Sequence, residues 1–474
     1  MAVGGVLSAL AAAPGLLGDE LYTFAVVDRD SAADVMDGVR TTENTPPLYY
    51  LVAWMVTKIS GSPELIRLPS LLAGAGTVAV VGLLGRRVFG APAGLAAAAL
   101  LAVAPFSVYY TSEARSYSAA TLCVVLSTLL LLKALDRPRP ALWTALAVSA
   151  AAAVWFHYTA ILPLGAQAVW AVATQPGSRR TVSIAHLAAA LLYVPWLPFL
   201  GANVSLDVVS VFSPFAAEQV LEYPARALAG HPIAGLADVP GSVPALGIAL
   251  VLGGAAALAL RRGGLGRPSP SSPAVLLAAM ALAAPVGVLL YSAFDANLFV
   301  PRNLLVSVPP AAVMAGAMVA RTGSPAIAAA LTVALVALLL PSALATATGS
   351  QARPRYDDVA RLVDERGRPG DPVIEAPLFP VGESLDAPLR RPLAIFLERP
   401  HPLYLSDRPR DAWRRAVRAG RALVVHPGDY PPVFRSLIPA PPRGSGLMVV
   451  RRQRFEGVRS LVYVEYVRRP TAGR

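Results

Sequence analysis

Two carboxylates, Asp19 and Glu20, stand directly behind the first apolar segment, Val3 to Leu17, with only Gly18 between. Charge is costly to bury near a bilayer, so an acidic pair in that place points to a site facing a water-filled cavity. The plain alternative is that the pair caps a membrane helix at the interface, where most charges are solvated. Three more groups carry reactive residue types. They are Glu43-Asn44-Thr45-Pro46-Pro47-Leu48-Tyr49-Tyr50, then Tyr109-Tyr110-Thr111-Ser112-Glu113-Ala114-Arg115-Ser116-Tyr117, then Pro301-Arg302-Asn303. Carboxylates accept protons and arginine forks hold anions, so the four groups together contain the parts for proton transfer beside a bound anion.

The elements that position these groups follow from composition. With 474 residues, 55% of them hydrophobic and 15% charged, and a mean hydropathy of +0.55, the chain is not that of a soluble protein. Apolar runs of span length fall at 3–17, 67–84, 91–110, 117–134, 141–157, 159–174, 181–200, 243–260, 273–293, 303–320 and 325–345. The first lacks a basic flank and a small-residue cleavage site, so it does not read as a signal peptide. Basic residues gather in alternate loops, at Arg86 and Arg87, at Lys133, Arg137 and Arg139, at Arg179 and Arg180, at Arg261, Arg262 and Arg267, and at Arg321. The intervening loops are richer in acid, at Asp19 to Glu64, Glu113, Asp207 to Asp238 and Asp295. The positive-inside rule then puts the N-terminus inside and the C-terminus outside, with about eleven spans. Pro46 to Ile59 is apolar but too short to cross, and crossing would invert every later loop. It is expected to be a juxtamembrane helix on the outer surface, anchored by Tyr49, Tyr50 and Trp54, within an outer loop 18–66.

Beyond residue 346 the composition changes. Residues 347–474 hold 23 arginines and 14 acids, which supply +9 of the chain's net +12. Strand-like runs at Val373-Ile374, Ala422 to Val425, Leu447 to Val450 and Leu461 to Val467 alternate with helical patterns at Tyr356 to Arg366 and Asp411 to Ala419. That alternation predicts an extracytoplasmic α/β domain over 347–474, following a transmembrane catalytic domain over 1–346. Its basic balance suits anionic lipid headgroups or an anionic polymer, or is simply a solvated surface; nucleic acid is not an expected partner. The lone Cys123 excludes an intrachain disulfide. Arginine-rich, alanine-rich usage with two lysines suggests a GC-rich, bacterial genome and hence a multi-pass plasma-membrane protein.

The order of these motifs, with Arg67-Leu68-Pro69-Ser70 opening the second span, resembles the GT-C membrane glycosyltransferases. The branch it is most similar to is family 39, with its protein O-mannosyltransferases and lipid A aminoarabinose transferases. The resemblance implies an α-helical polytopic GT-C-like fold and an inverting transfer. A sugar leaves a polyprenyl-phosphate donor for an acceptor hydroxyl on a glycan, glycolipid or protein, at the outer face of the bilayer. Asp19 then matches the family's general base, with Glu20 beside it to orient a hydroxyl. Two adjacent carboxylates repel, so one of the pair has a raised pKa. The departing phosphate needs a cation, for which Arg302 is the first candidate and Arg115 the second. Snorkelling at the interface would equally account for Arg302, and an ion pair with Glu113 for Arg115. Glu43, Pro46, Pro47, Tyr49, Glu113, Tyr117 and His157 are expected to line the cavity. Relatives carry lysine or histidine before the Pro-Pro pair where this chain has Thr45, which argues against a metal; no cofactor is implied. A transporter or flippase of lipid-linked sugars is the competing reading, but no internal repeat is present and the charges sit at span ends.

Overall fold

The computed structural model describes residues 2–12, 15–16, 18–43, 45–60, 62–199, 216–261, 268–294, 297–348, 353–376, 392–405, 409–428, 438–456 and 460–469. Asn44, Asp207, Arg262, Arg267 and Asp295, all named above, lie outside that set. The chain divides into two compact units. The first comprises residues 1–10, 26–60 and 65–347; the second comprises 11–25, 61–64 and 348–474. Residues 11–25, which carry the acidic pair, thus group with the C-terminal segment, whereas sequence alone assigned them to the transmembrane part.

The helices, in chain order, begin with α1 (Ala2–Ala11), α2 (Asp19–Val27), α3 (Ala32–Thr42) and α4 (Leu48–Thr57). There follow α5 (Leu68–Phe89), α6 (Ala91–Val103), α7 (Pro105–Thr111), α8 (Tyr117–Asp136), α9 (Pro140–Phe156), α10 (Ile161–Thr174) and α11 (Arg179–Tyr193). Then come α12 (Gln219–Ala229), α13 (Ser242–Arg261), α14 (Pro273–Phe294), α15 (Val308–Ala320) and α16 (Pro325–Thr348), with α17 (Tyr356–Arg366) and α18 (Pro409–Ala419) last.

Among the described residues, seven helices are long and apolar enough to cross a membrane; α6 and α7, bent by 65° to each other, are together apolar enough for a broken span or a re-entrant loop. The bend falls at Ala104-Pro105, where proline supplies no backbone donor and disfavours helix at the residue before it. Leu48–Thr57, Pro140–Phe156 and Tyr158–Thr174 are shorter apolar helices. The first expected span, 3–17, is corrected: α1 ends at Ala11, and ten residues make about 15 Å, half the thickness of a bilayer core. The juxtamembrane segment forms a helix, α4, of ten residues starting behind the Pro46-Pro47 pair, a length too short to cross.

Small residues set the packing of the first unit. A side chain at Gly74 on α5 would bring its Cβ to 2.1 Å from Thr111 Cγ2, so only glycine lets α5 and α7 approach. The apolar windows of Tyr117–Asp136 and Pro301–Ala320 are 67% and 72% buried, against 17% for Ala237–Arg261. The first two therefore form the centre of the bundle and the last its lipid-facing edge. Arg86 and Arg87 close α5 in its last turn, where positive charge favours the helix C-terminus.

In the second unit a five-stranded sheet has the order β2-β1-β3-β5-β4, with β1 at Val373–Glu375, β2 at Leu403–Leu405, β3 at Arg421–Pro427, β4 at Leu447–Phe455 and β5 at Leu461–Arg468. β1 runs parallel to β2 and β3, while β5 is antiparallel to β3 and β4. Alternate residues of β3 and β5 feed two cores. Leu423, Val425, Leu461 and Tyr463 meet Tyr356, Val359 and Val363 of α17 on one face. Ala422, Val424, Val462 and Val464 meet Ala412, Trp413 and Ala416 of α18 on the other. This is the α/β domain that the alternating pattern predicts, with β2 as a strand too short to read from sequence.

Candidate active site

In the first unit the Glu43 motif and the Arg115 motif close on each other. Glu43 caps α3, its N–H bonded to the Val39 carbonyl, so its side chain leaves the helix end toward α4. Its Oε2 accepts the Tyr50 hydroxyl at 2.5 Å and Arg115 Nη1 at 3.1 Å. Tyr50 also shares a 2.9 Å hydrogen bond with Thr45 Oγ1. Both ions are more than nine-tenths buried, at 8% exposure each. Glu43 Oε1 is likewise buried and has no hydrogen-bond partner among the described residues. Burial pushes the Tyr50 phenol well above its ordinary pKa, with Arg115 opposing and Glu43 adding to the rise. Tyr50 therefore stays a hydroxyl and donates to the carboxylate.

Arg115 sits in the turn Ser112–Ser116 that joins α7 to α8. Its carbonyl accepts Ser70 Oγ at 2.9 Å, the Ile66 carbonyl accepts the Tyr49 hydroxyl at 2.9 Å, and the two hydroxyl oxygens stand 2.9 Å apart. Tyr49 thus braces α4 against the start of α5, where Arg67 is almost fully buried. The serine of Arg67-Leu68-Pro69-Ser70 is the link that ties the Pro-Pro-Leu helix to the arginine turn. The ion pair that Arg115 makes here is with Glu43; Glu113, two residues away, is also buried.

Tyr117 starts α8 with its ring 4.9 Å from that of His157 and 5.5 Å from Tyr110. His157 Nδ1 accepts the Thr159 backbone N–H at 3.3 Å and contacts Thr159 Oγ1 at 2.8 Å. An accepting Nδ1 puts the ring proton on Nε2. The charges of Arg115 and Arg302 both reach His157, and that of Arg302 also reaches Tyr110. Arg302 stands half-buried on the helical turn Pro301–Ser307 that leads into α15. Asn303 closes that turn by donating to the Leu298 carbonyl at 2.7 Å. Both arginines chosen from sequence therefore act by their charge on one histidine, whose ring lies against that of Tyr117. Pro46 and Pro47 lie just ahead of α4, Pro47 being its N-cap.

In the second unit Asp19 and Glu20 open α2, after Gly18 at φ 53, a left-handed turn that glycine adopts without strain. The two carboxylates part company. Glu20 is fully buried and ion-paired with Arg353 at 3.2 Å, and Arg353 Nη1 also donates to the Ala11 carbonyl at 2.9 Å. Asp19 is half-buried, and its carbonyl accepts Thr23 Oγ1 at 3.1 Å. Sequence reasoning missed Arg353. Nothing in its neighbourhood distinguishes it from the many arginines of that segment, and only the fold brings it to α2. Tyr50, expected only as an interfacial anchor, bonds Glu43 and Thr45, a link that the motif alone does not show.

Residues 44–201 match the sequence model of the family described as dolichyl-phosphate-mannose-protein mannosyltransferase. No curated protein matches the chain in sequence. Among solved structures, ArnT from Cupriavidus metallidurans in the apo state superposes with a TM-score of 0.57 at 15% identity, covering 98% of this chain and 96% of that one. The same enzyme bound to undecaprenyl phosphate gives 0.55 at 16% identity, with 98% and 96% covered. The archaeal oligosaccharyltransferase AglB from Archaeoglobus fulgidus, in complex with an inhibitory peptide and a dolichol-phosphate, gives 0.50 at 12% identity, covering 90% of this chain and 69% of that one. The apolar bundle, the appended sheet domain and these superpositions together identify the chain as a membrane protein of the GT-C glycosyltransferase fold.

Proposed function

We propose that this protein transfers a sugar from a polyprenyl-phosphate donor to an acceptor hydroxyl, with inversion, at the outer face of the membrane. The observation that carries the reading is the buried Glu43–Arg115 pair at 3.1 Å, with the charges of Arg115 and Arg302 both acting on His157, in a fold that covers 98% of this chain and 96% of ArnT solved with undecaprenyl phosphate. The two guanidinium groups are the cations that a phosphate leaving group calls for.

The acceptor oxygen attacks the anomeric carbon, the bond from that carbon to the phosphate oxygen breaks, and polyprenyl phosphate departs with the bonding pair. The hydroxyl proton passes to a carboxylate, for which Asp19 is the candidate. Glu20 acts as a positioning residue, because its carboxylate is held by Arg353. The acceptor is a glycan, glycolipid or protein hydroxyl. Undecaprenyl phosphate titrated into the purified full-length protein tests the reading, followed by native mass spectrometry. Saturable binding that weakens in Arg302→Ala is expected. Absence of binding, together with no build-up of lipid-linked sugar in a strain lacking the gene, would overturn it.

A further inference from the structure

A cavity lies in the first unit, away from Arg302 at the start of α15. It measures about 910 Å³ and lies among α5, α6, α12, α13, α14, α15 and α16. Its wall follows α15 from Val308 to Arg321, about 20 Å at 1.5 Å per residue. Of the side chains lining it, only Ser272 and Arg321 are polar, and both lie at one end. That end belongs to the basic loops, which the positive-inside rule assigns to the cytoplasmic side. Leu282, on the wall, is 61% exposed, so the cavity opens sideways onto the surface that faces lipid.

A void of this size is far beyond what close-packed interiors leave empty, and it has too few polar partners to hold ordered water. Its shape and lining match a hydrocarbon chain entering from the bilayer. The polar end has a matching charge. The Arg321 guanidinium lies 5.4 Å from the centre of the Phe89 ring, which also lines the cavity, and Arg321 has no ion pair among the described residues. Stacking on Phe89 holds the planar group at the mouth and leaves its N–H edge for an anion.

We infer that this cavity holds an anionic glycerophospholipid from the cytoplasmic leaflet, an acyl chain within the bundle and the phosphate on Arg321. Such a lipid fills the space between the buried pair α6 and α15 and the peripheral α13 and α16, and so fixes how the outer helices pack. It is a lipid site separate from any donor site at the other end of α15.

The test is native mass spectrometry of the detergent-purified full chain, titrated separately with phosphatidylglycerol and phosphatidylcholine. Phosphatidylglycerol should bind with the higher affinity. Arg321→Gln should weaken it about five- to tenfold, with Arg321→Lys between the two. Ala315→Phe, which fills the cavity, should weaken both lipids while Arg321→Gln spares phosphatidylcholine. Equal binding of the two lipids, unchanged phosphatidylglycerol binding in both Arg321→Gln and Ala315→Phe, or displacement of phosphatidylglycerol by undecaprenyl phosphate at equal concentration would overturn the proposal.

Discussion

Glu43 and Arg115 lie 72 positions apart in the chain and share a buried ion pair of 3.1 Å, capped by the Tyr50 hydroxyl. A pair in that setting makes the carboxylate helix end and the arginine turn one rigid object. It also holds Arg115 where its charge reaches His157. Removing either partner leaves the other charge buried and uncompensated, which costs about 3–5 kcal/mol. Arg115→Met should therefore lower the unfolding temperature of the purified protein strongly. The double variant Glu43→Gln/Arg115→Met should be more stable than the sum of the single changes predicts. Additive losses would mean that the two side chains are not coupled in the folded protein.

Tyr50→Phe removes one hydroxyl and keeps the ring. A hydrogen bond to a charged group contributes about 1.5–3 kcal/mol, and its loss leaves Glu43 Oε2 with Arg115 alone. The expected outcome is a moderate fall in stability with the fold intact, read by thermal denaturation. A neutral effect would take Tyr50 out of the network.

The acidic pair should divide into two phenotypes. Asp19→Asn is expected to slow sugar transfer about 10²–10⁴-fold with little change in binding of the lipid phosphate. Arg302→Ala should weaken binding and turnover together, and Arg302→Lys should restore only part, because a point charge replaces a fork. Glu20→Gln should act on stability, since it strands Arg353 in a buried position. Transferase activity and unfolding temperature, measured on the same four preparations, decide the matter. Full activity in Asp19→Asn would remove it as the base.

Orientation is checked by cysteine accessibility in a Cys123→Ala background. Single cysteines at Ser178 and Ser269 should resist a membrane-impermeant thiol reagent in intact cells, and one at Arg443 should react. Reaction at Ser178 from outside would invert the topology.

The second unit should lose stability in acid through His426. Burial, the largest cause, depresses its pKa below the ordinary 6.5; its bond to the Pro427 carbonyl opposes this and the nearby Arg452 charge adds to it. The folded state thus binds fewer protons than the unfolded state, so the stabilisation is present above pH 6.5 and is lost as pH falls toward the folded value. A pH series of unfolding temperatures should show that slope in the wild type and a shallower one in His426→Gln.

Elements whose signal is local were legible in the chain. α17 runs from Tyr356 to Arg366, as its helical pattern indicated, and β1, β3, β4 and β5 cover the alternating apolar runs. The basic loops mark one set of helix ends because charge placement is a local property of each loop. Glu43, Arg115 and Arg302 could be named because carboxylates and guanidinium groups at span ends are few. Their partners could not be. Glu20 is tied to Arg353 and Glu43 to Arg115 only after helices from distant parts of the chain pack together, and no periodicity records which buried charge will neutralise which. The same holds for the cavity beside Arg321. Most of the lining helices read as ordinary apolar spans, and the gap arises from how seven helices fail to meet. What the sequence by itself determined is therefore the membrane class, the α/β appendage and the reactive residue types. The tertiary structure alone decided which carboxylate of Asp19 and Glu20 is held in a buried ion pair, because desolvation makes a buried charge find its counter-ion wherever in the chain that counter-ion lies.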